Sequence, residues 1–147
     1  MAETLGSLFD KLTILELKHW HSQEEEQLAN IAMQILQLQN EIVEYIGKAA
    51  QGLIPQEQIH LPSNKVYKKE GNTVPEVKGS IGKVASQLAI VNCELWHQQE
   101  KVYEFEKVHP DEKDRVVKQL ATLNLERNRC MDEINLQFFR LLNSQKA

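Results

Sequence analysis

The sequence predicts an all-α protein, an antiparallel four-helix bundle of two duplicated helical hairpins joined by a long irregular crossover. Three observations predict it. Apolar residues recur at three- and four-residue steps over most of the chain, the period of a helix with one buried face. Residues 50–79 break that period and hold three of the four prolines and three of the six glycines. One phrase is also written twice, "LTILELKHWHSQE" from Leu12 and "LAIVNCELWHQQE" from Leu88. At 147 residues the chain forms one domain, long enough to bury a core without metal or disulfide support.

The first helix is expected over about 7–21 and the second over about 23–48, because no Gly or Pro occurs from Ser7 to Ile46. Ser7, followed by Asp10, can cap the start by accepting from the open amides of the first turn. Leu8, Leu12 and Leu15 begin an apolar seam that falters at His19 and Ser22. A second seam, Leu28, Ile31, Ile35, Leu38, Ile42 and Tyr45, starts in a new phase. The slip falls at "SQEEE", where Ser22 and Glu25 have capping-box spacing, and reads as a turn between two helices. One continuous helix with a stutter is the alternative.

The crossover, about 50–79, is too long for a neutral connector. Between 65 and 83, Lys65, Lys68, Lys69, Lys78 and Lys83 stand against only Glu70 and Glu76. The stretch reads as a solvated loop, with an anion-binding flap as the alternative. Ser80 then caps a helix over about 80–107 carrying Ile81, Val84, Leu88, Val91, Leu95, Val102 and Phe105, a heptad register interrupted by Gln98. Pro110, Asp111 and Glu112 suit the first turn of a last helix over about 110–142. Its expected seam is Val117, Leu120, Met131, Ile134, Phe138 and Leu141.

Shifting the first phrase by 76 residues aligns Leu12 with Leu88, Ile14 with Ile90, Trp20 with Trp96, His21 with His97, Gln23 with Gln99 and Glu24 with Glu100. Leu15 falls on Val91, and the two tryptophans are the only two in the chain. Duplication of a hairpin is the simplest cause, and it predicts equivalent places for the two indoles. At about 100° per residue, Ile14, Leu17 and His21 lie nearly opposite the Leu8–Leu12–Leu15 seam. Ile90, Cys93 and His97 do the same in the second copy. A helix apolar on two faces must be covered on both, which leads to the expectation of a homodimer.

Composition narrows the functional classes. Seventeen Lys and Arg against 21 Asp and Glu give a net charge of −4, the wrong sign for a protein that grips nucleic acid by its phosphates. No apolar run is long enough to span a membrane, and the opening "MAETLGSLFDKL" has acids where a signal peptide needs lysines, so a cytoplasmic protein is expected. Cys93 and Cys130 have no metal-ligand spacing and read as reduced thiols. No cofactor is expected.

Polar residues interrupt the helical seams. Asn124 and Arg127 fall on the seam of the last helix, and an unpaired buried Arg is costly. Glu16 and its repeat counterpart Asn92 flank the facing helices one turn before the tryptophans. Arg127 is therefore expected to meet Glu16, with Asn92 and Asn124 completing a polar layer that fixes register. The alternative is a pocket in which Arg127 holds an anionic group beside a Trp face. His21 with Glu24, and His97 with Glu100, lie at i,i+3 on shared faces. Helical di-metal sites use Glu-x-x-His pairs with further carboxylates, so these four residues are the weak metal candidates. No nucleophile, base and orienting group can be read at catalytic spacing.

At these residues the sequence resembles an uncharacterised family of short bacterial helical proteins, a domain of unknown function. Members often share gene neighbourhoods with glycosyltransferases of lipopolysaccharide and surface-polysaccharide assembly. Asn92, Leu95, Trp96, His97 and Glu100 fit one family block, with Gln99 in place of its first acid. Leu123, Asn124, Arg127, Asn128, Asp132 and Ile134 fit a second, with Asn135 where Asp is usual. The opening "DKLTILELK" resembles a start found in related proteins of the same neighbourhoods. The resemblance implies a role beside polysaccharide synthesis and a glycosyltransferase or other protein as partner, and it brings no known activity. The expected function is a non-enzymatic helical accessory or adaptor. Its rivals are a small enzyme or binding protein for a phosphate- or sugar-bearing ligand, using Glu16, Trp20, His21, Asn92, Trp96, His97, Asn124, Arg127 and Asn128, and a divalent-metal bundle.

Overall fold

The computed structural model describes residues 3–60 and 76–144. The described chain is all-helical: α1 (Leu5–His21), α2 (Glu25–Ala50), the one-turn α3 (Gln56–Ile59), α4 (Ile81–Tyr103) and α5 (Pro110–Ser144), with a 3₁₀ turn at Phe105–Lys107 before α5. Helix α1 packs against α2, α4 and α5, while α4 lies along α5 and α3 docks on α5. Helices α1 and α4 run parallel: Asp10 meets Asn92 midway along them, and His21 meets Trp96 near their C-terminal ends. Helix α5 runs antiparallel to α1, with Asn135 at Gly6 and Arg127 at Asp10.

The ends of the helices follow local chemistry. Thr4, rather than Ser7, is the cap of α1. Its hydroxyl accepts from the Ser7 amide, and the Ser7 hydroxyl accepts from the Thr4 amide in return, closing a capping box one turn earlier than expected. The break between α1 and α2 lies where the seam changes phase. Ser22 does not cap α2, however: its hydroxyl donates back to the Lys18 carbonyl and closes α1 instead. Gly52, at φ 76°, ends α2, with the Leu53 amide reaching the Lys48 carbonyl at 3.0 Å in a Schellman turn. Ser80 caps α4 as expected. Before α5, His109 Nδ1 accepts from the Asp111 amide at 3.2 Å.

The core gathers Leu5 and Leu8 of α1, Leu38, Ile42 and Ala49 of α2, Ile59 of α3, Val84 and Leu88 of α4, and Cys130, Ile134 and Phe138 of α5. Full burial of each large aliphatic side chain contributes roughly 1.5–3 kcal/mol, so these residues dominate stability. The crossover is more than a solvated loop. Ile59 is buried in the core, Gln56 donates to Asn143 at 3.0 Å, and Gln137 donates to the Gly79 carbonyl at 2.7 Å. Both described ends of the crossover thus dock on α5; Lys65, Lys68, Lys69 and Glu70, on which the flap reading rested, lie outside the described residues.

Two further expectations change with the structure. The buried stripe of α5 is Val116, Leu123, Cys130, Ile134 and Phe138, and Val117 and Leu141 are exposed. The stripe keeps the expected period but sits one residue aside for most of its length, because Leu123 and Cys130 face inward where Asn124 and Met131 were placed. The two indoles are not in equivalent places. Trp20 is 84% exposed, whereas Trp96 stacks on His21.

Candidate functional site

Helix α1 presents Gly6, Asp10 and Thr13 toward α4 and α5, at steps of four and three residues. These residues carry little bulk, so the helices approach closely. A Cβ on Gly6 would overlap the Met131 carbonyl of α5. The Gly6 amide, left unpaired in the first turn of α1, donates to Asn135 Oδ1 at 2.7 Å. Asn135 needs only its acceptor oxygen for this contact.

Next along the stripe, Asp10 is almost fully buried. Its Oδ1 accepts from Arg127 Nε at 2.7 Å and from Asn92 Nδ2 at 3.0 Å, and its Oδ2 accepts from Arg127 Nη2 at 2.5 Å. Asn92 also donates to Thr13 Oγ1 at 2.7 Å, and that hydroxyl donates to the Asp10 carbonyl at 2.8 Å. The Asp10 carboxylate in turn favours the charged guanidinium and raises the Arg127 pKa. Three helices are tied together by one closed polar layer, each charge meeting its counterpart through a bidentate contact.

Of the residues predicted for this layer, Arg127 and Asn92 take part, while Glu16 and Asn124 are exposed and Asn128 is only partly buried. Glu16 lies six positions from Asp10, about 120° around the helix, and faces away from α5. Asp10 was missed because it reads naturally as an acid in the first turn of a helix. The signal that could have found it is the run of small or polar residues Gly6, Asp10 and Thr13 at helical spacing on one face. Buried Glu126 was also missed. No donor meets its carboxylate among the described residues, and burial first, then Glu94, raise its pKa. One turn on, burial pushes the Cys130 thiol up to about 12, which suits a packing residue rather than a nucleophile.

The second cluster lies at the C-terminal ends of α1 and α4. His21 stacks on Trp96, with ring centroids 4.7 Å apart and planes at 21°, and meets the His97 ring edge-on at 6.2 Å. His21 Nδ1 donates to the Leu17 carbonyl at 2.8 Å, leaving Nε2 as the other ring nitrogen. Trp96 Nε1 donates to Glu100 at 2.8 Å, and the same carboxylate lies 3.9 Å from His97 Nδ1. Beside this stack opens a cleft of about 810 Å³, lined by Lys18, His21, Glu24, Gln27, Asn30 and Gln34 as well as Trp96. Trp20 lines no part of it. His21, His97 and Glu100 are thus brought together, but among the described residues no group of three or more His, Cys, Asp or Glu could hold a metal ion. No helix among the described residues is long and apolar enough to cross a membrane. No protein-family model, curated protein or solved structure matches the chain.

Proposed function

We propose that the protein is a non-enzymatic helical accessory or adaptor serving bacterial surface-polysaccharide synthesis. The observation that carries the non-enzymatic part is the Asp10–Arg127 pair. The guanidinium in the polar seam is already engaged by a buried carboxylate of the same chain, so the layer works as a helix clamp and not as an anion pocket. The link to polysaccharide synthesis rests on the sequence resemblance around Asn92–Glu100 and Leu123–Ile134. Duplication of an ancestral hairpin belongs to the same reading. It is supported by Leu8, Leu12 and Leu15 of α1 and Val84, Leu88 and Val91 of α4, which keep a 76-residue spacing and are all at least partly buried. Co-expression with a bacterial surface-polysaccharide glycosyltransferase tests the role. Co-elution as a stable complex is expected, and separate elution of the two proteins at micromolar concentration would sink it.

A second reading is favoured by the cleft beside Trp96, where Lys18 and the amides of Gln27, Asn30 and Gln34 surround an aromatic platform. Such a lining suits a phosphate- or sugar-bearing ligand. A thermal-shift screen with sugar phosphates and nucleotides tests it: stabilisation lost in Trp96→Ala and Lys18→Ala supports a ligand protein, and a flat screen removes that reading. Arg127→Ala is not the diagnostic variant, because its loss strands Asp10 in the interior.

A further inference from the structure

The cleft beside Trp96 does not end at Gln34. A second cleft of about 300 Å³ continues it between α1 and α2, and Lys18 and Gln34 line both. Together the two make one trough. Its α1 wall is Lys11, Ile14, Leu15, Lys18 and His21, at the three- and four-residue steps of a single helix face. From Lys11 to His21 that wall runs about 15 Å, at the helical rise of about 1.5 Å per residue. Ile14, Leu15, Ile31 and Leu38 are buried or partly buried and form an apolar floor. Gln27, Asn30, Gln34 and Gln37 of α2 are exposed and set four carboxamides in a row along the rim.

We propose that this trough binds a neutral, linear oligosaccharide. The proposal deepens the second reading above, on which it rests, by naming the class of ligand. Amide chemistry selects hydroxyl groups. Each carboxamide offers an acceptor oxygen and two N–H donors, and each sugar hydroxyl likewise both donates and accepts. Four such heads at steps of three, four and three residues match a ligand that repeats hydroxyls along its length. At one end Trp96 and His21 supply ring surface. The indole N–H is already held by Glu100 at 2.8 Å, so Trp96 meets a ligand through its π-system, which suits the C–H face of a pyranose. The wall is also longer than one pyranose ring. Charge disfavours a phosphate. The ionic lining is balanced, with Lys11 and Lys18 against Glu24 and Glu41, and Lys11 is paired with Glu3. The N-terminus of α2, whose open amides would otherwise attract an anion, carries Glu24, Glu25 and Glu26. A phosphate at the Trp96 end would meet Lys18 against these carboxylates, whereas uncharged hydroxyls are indifferent to that field.

Fluorescence of the full chain carrying Trp20→Phe, in which Trp96 is the sole tryptophan, reads the site directly. The probes are neutral linear tri- and tetrasaccharides of glucose, mannose and galactose, their monosaccharides, the corresponding sugar phosphates, and inorganic phosphate. At least one neutral oligosaccharide is expected to shift the emission, to bind about tenfold more tightly than its monosaccharide, and to keep its affinity at high salt. Gln34→Ala, at the exposed residue common to both clefts, is expected to weaken that binding about tenfold with unchanged helical circular dichroism. Tyr103→Ala, at an exposed residue of α4 that lines neither cleft, should leave the binding unchanged. Binding of the phosphates without the neutral sugars would overturn the proposal and leave the ligand reading standing. Monosaccharides that bind as tightly as their oligomers would also overturn it, and so would oligosaccharide binding indifferent to Gln34→Ala. A panel silent throughout, by fluorescence and by calorimetry, would remove both.

Discussion

Asp10 is held by two nitrogens of Arg127 and one of Asn92, and so the cost of losing it is set by what remains. Asp10→Ala leaves a half-buried guanidinium, 30% exposed, without its counter-ion, and breaking such a pair costs about 3–5 kcal/mol at full burial and less here. A drop of about 2–4 kcal/mol in urea unfolding is expected. The double variant Asp10→Leu, Arg127→Met should recover most of it, because an apolar pair of similar volume avoids the desolvation of both charges. If the double variant is as unstable as Asp10→Ala, the layer stabilises through more than this pair. Glu126 is the opposite case, a buried residue whose carboxylate meets no donor among the described residues. Its pKa is raised in the folded state, so the folded protein binds a proton more tightly there than the unfolded chain does. Stability from this site is therefore greatest below the ordinary carboxylate pKa and falls as pH rises through the elevated one. Glu126→Gln should raise the melting temperature at pH 8 and do so less at pH 4; an equal gain at both would show that ionisation is not the cause. How far these groups were legible in sequence follows from the same physics. The helical period showed that Arg127 needed an acceptor, but the acceptor lies 117 residues away in sequence, and only the rotation of α1 decides between Asp10 and Glu16.

The elements were legible where a helix writes its own period and less so where tertiary contacts choose between neighbouring faces. The α1–α2 break was visible as a phase change in the leucine seam, since two helices meeting at a turn need not share a rotation. The α5 stripe was misplaced because Leu120, Arg127, Ile134 and Phe138 are compatible with either flank. Packing on α4 and α1 selects Leu123 and Cys130 over Asn124 and Met131. Helix α3 was invisible because one turn has no period to read, and Ile59 alone ties it to the core. Gly6 was equally silent in sequence. It sits where α1 and α5 touch backbone to backbone, and Gly6→Ala has to push them apart at the Met131 carbonyl and lengthen the bond to Asn135. Overpacking of this kind costs about 1–3 kcal/mol, against a return of at most about 0.8–1 kcal/mol from Ala's better helix propensity. Calorimetry should therefore show a lower melting temperature for Gly6→Ala, and a neutral or stabilising result would mean that the helices separate freely at that point.

At the scale of the whole molecule, the decisive feature is that α1 contacts three long helices, whereas the principal contacts of α4 are with α5 and α1. Two copies of one hairpin would give α1 and α4 matching neighbours only in a symmetric arrangement. Here the turn between α1 and α2 is short, while α4 continues into Tyr103 and the 3₁₀ turn, so the two Trp-His pairs end up at different depths along their hairpins. His21 turns inward onto Trp96, and Trp20, one residue earlier and about 100° round the helix, is carried into solvent. The two similar phrases thus share a buried leucine and valine seam and differ in the surroundings of their tryptophans. Fluorescence separates the two positions directly. In Trp96→Phe only Trp20 emits, and acrylamide should quench it strongly with a maximum near that of free indole in water. In Trp20→Phe only Trp96 emits, shielded on one face by His21 and held by Glu100, so its quenching constant should be several-fold smaller and its maximum bluer. Equal constants in the two variants would mean that Trp96 is as open to solvent as Trp20, so that the His21 stack does not shield it in solution.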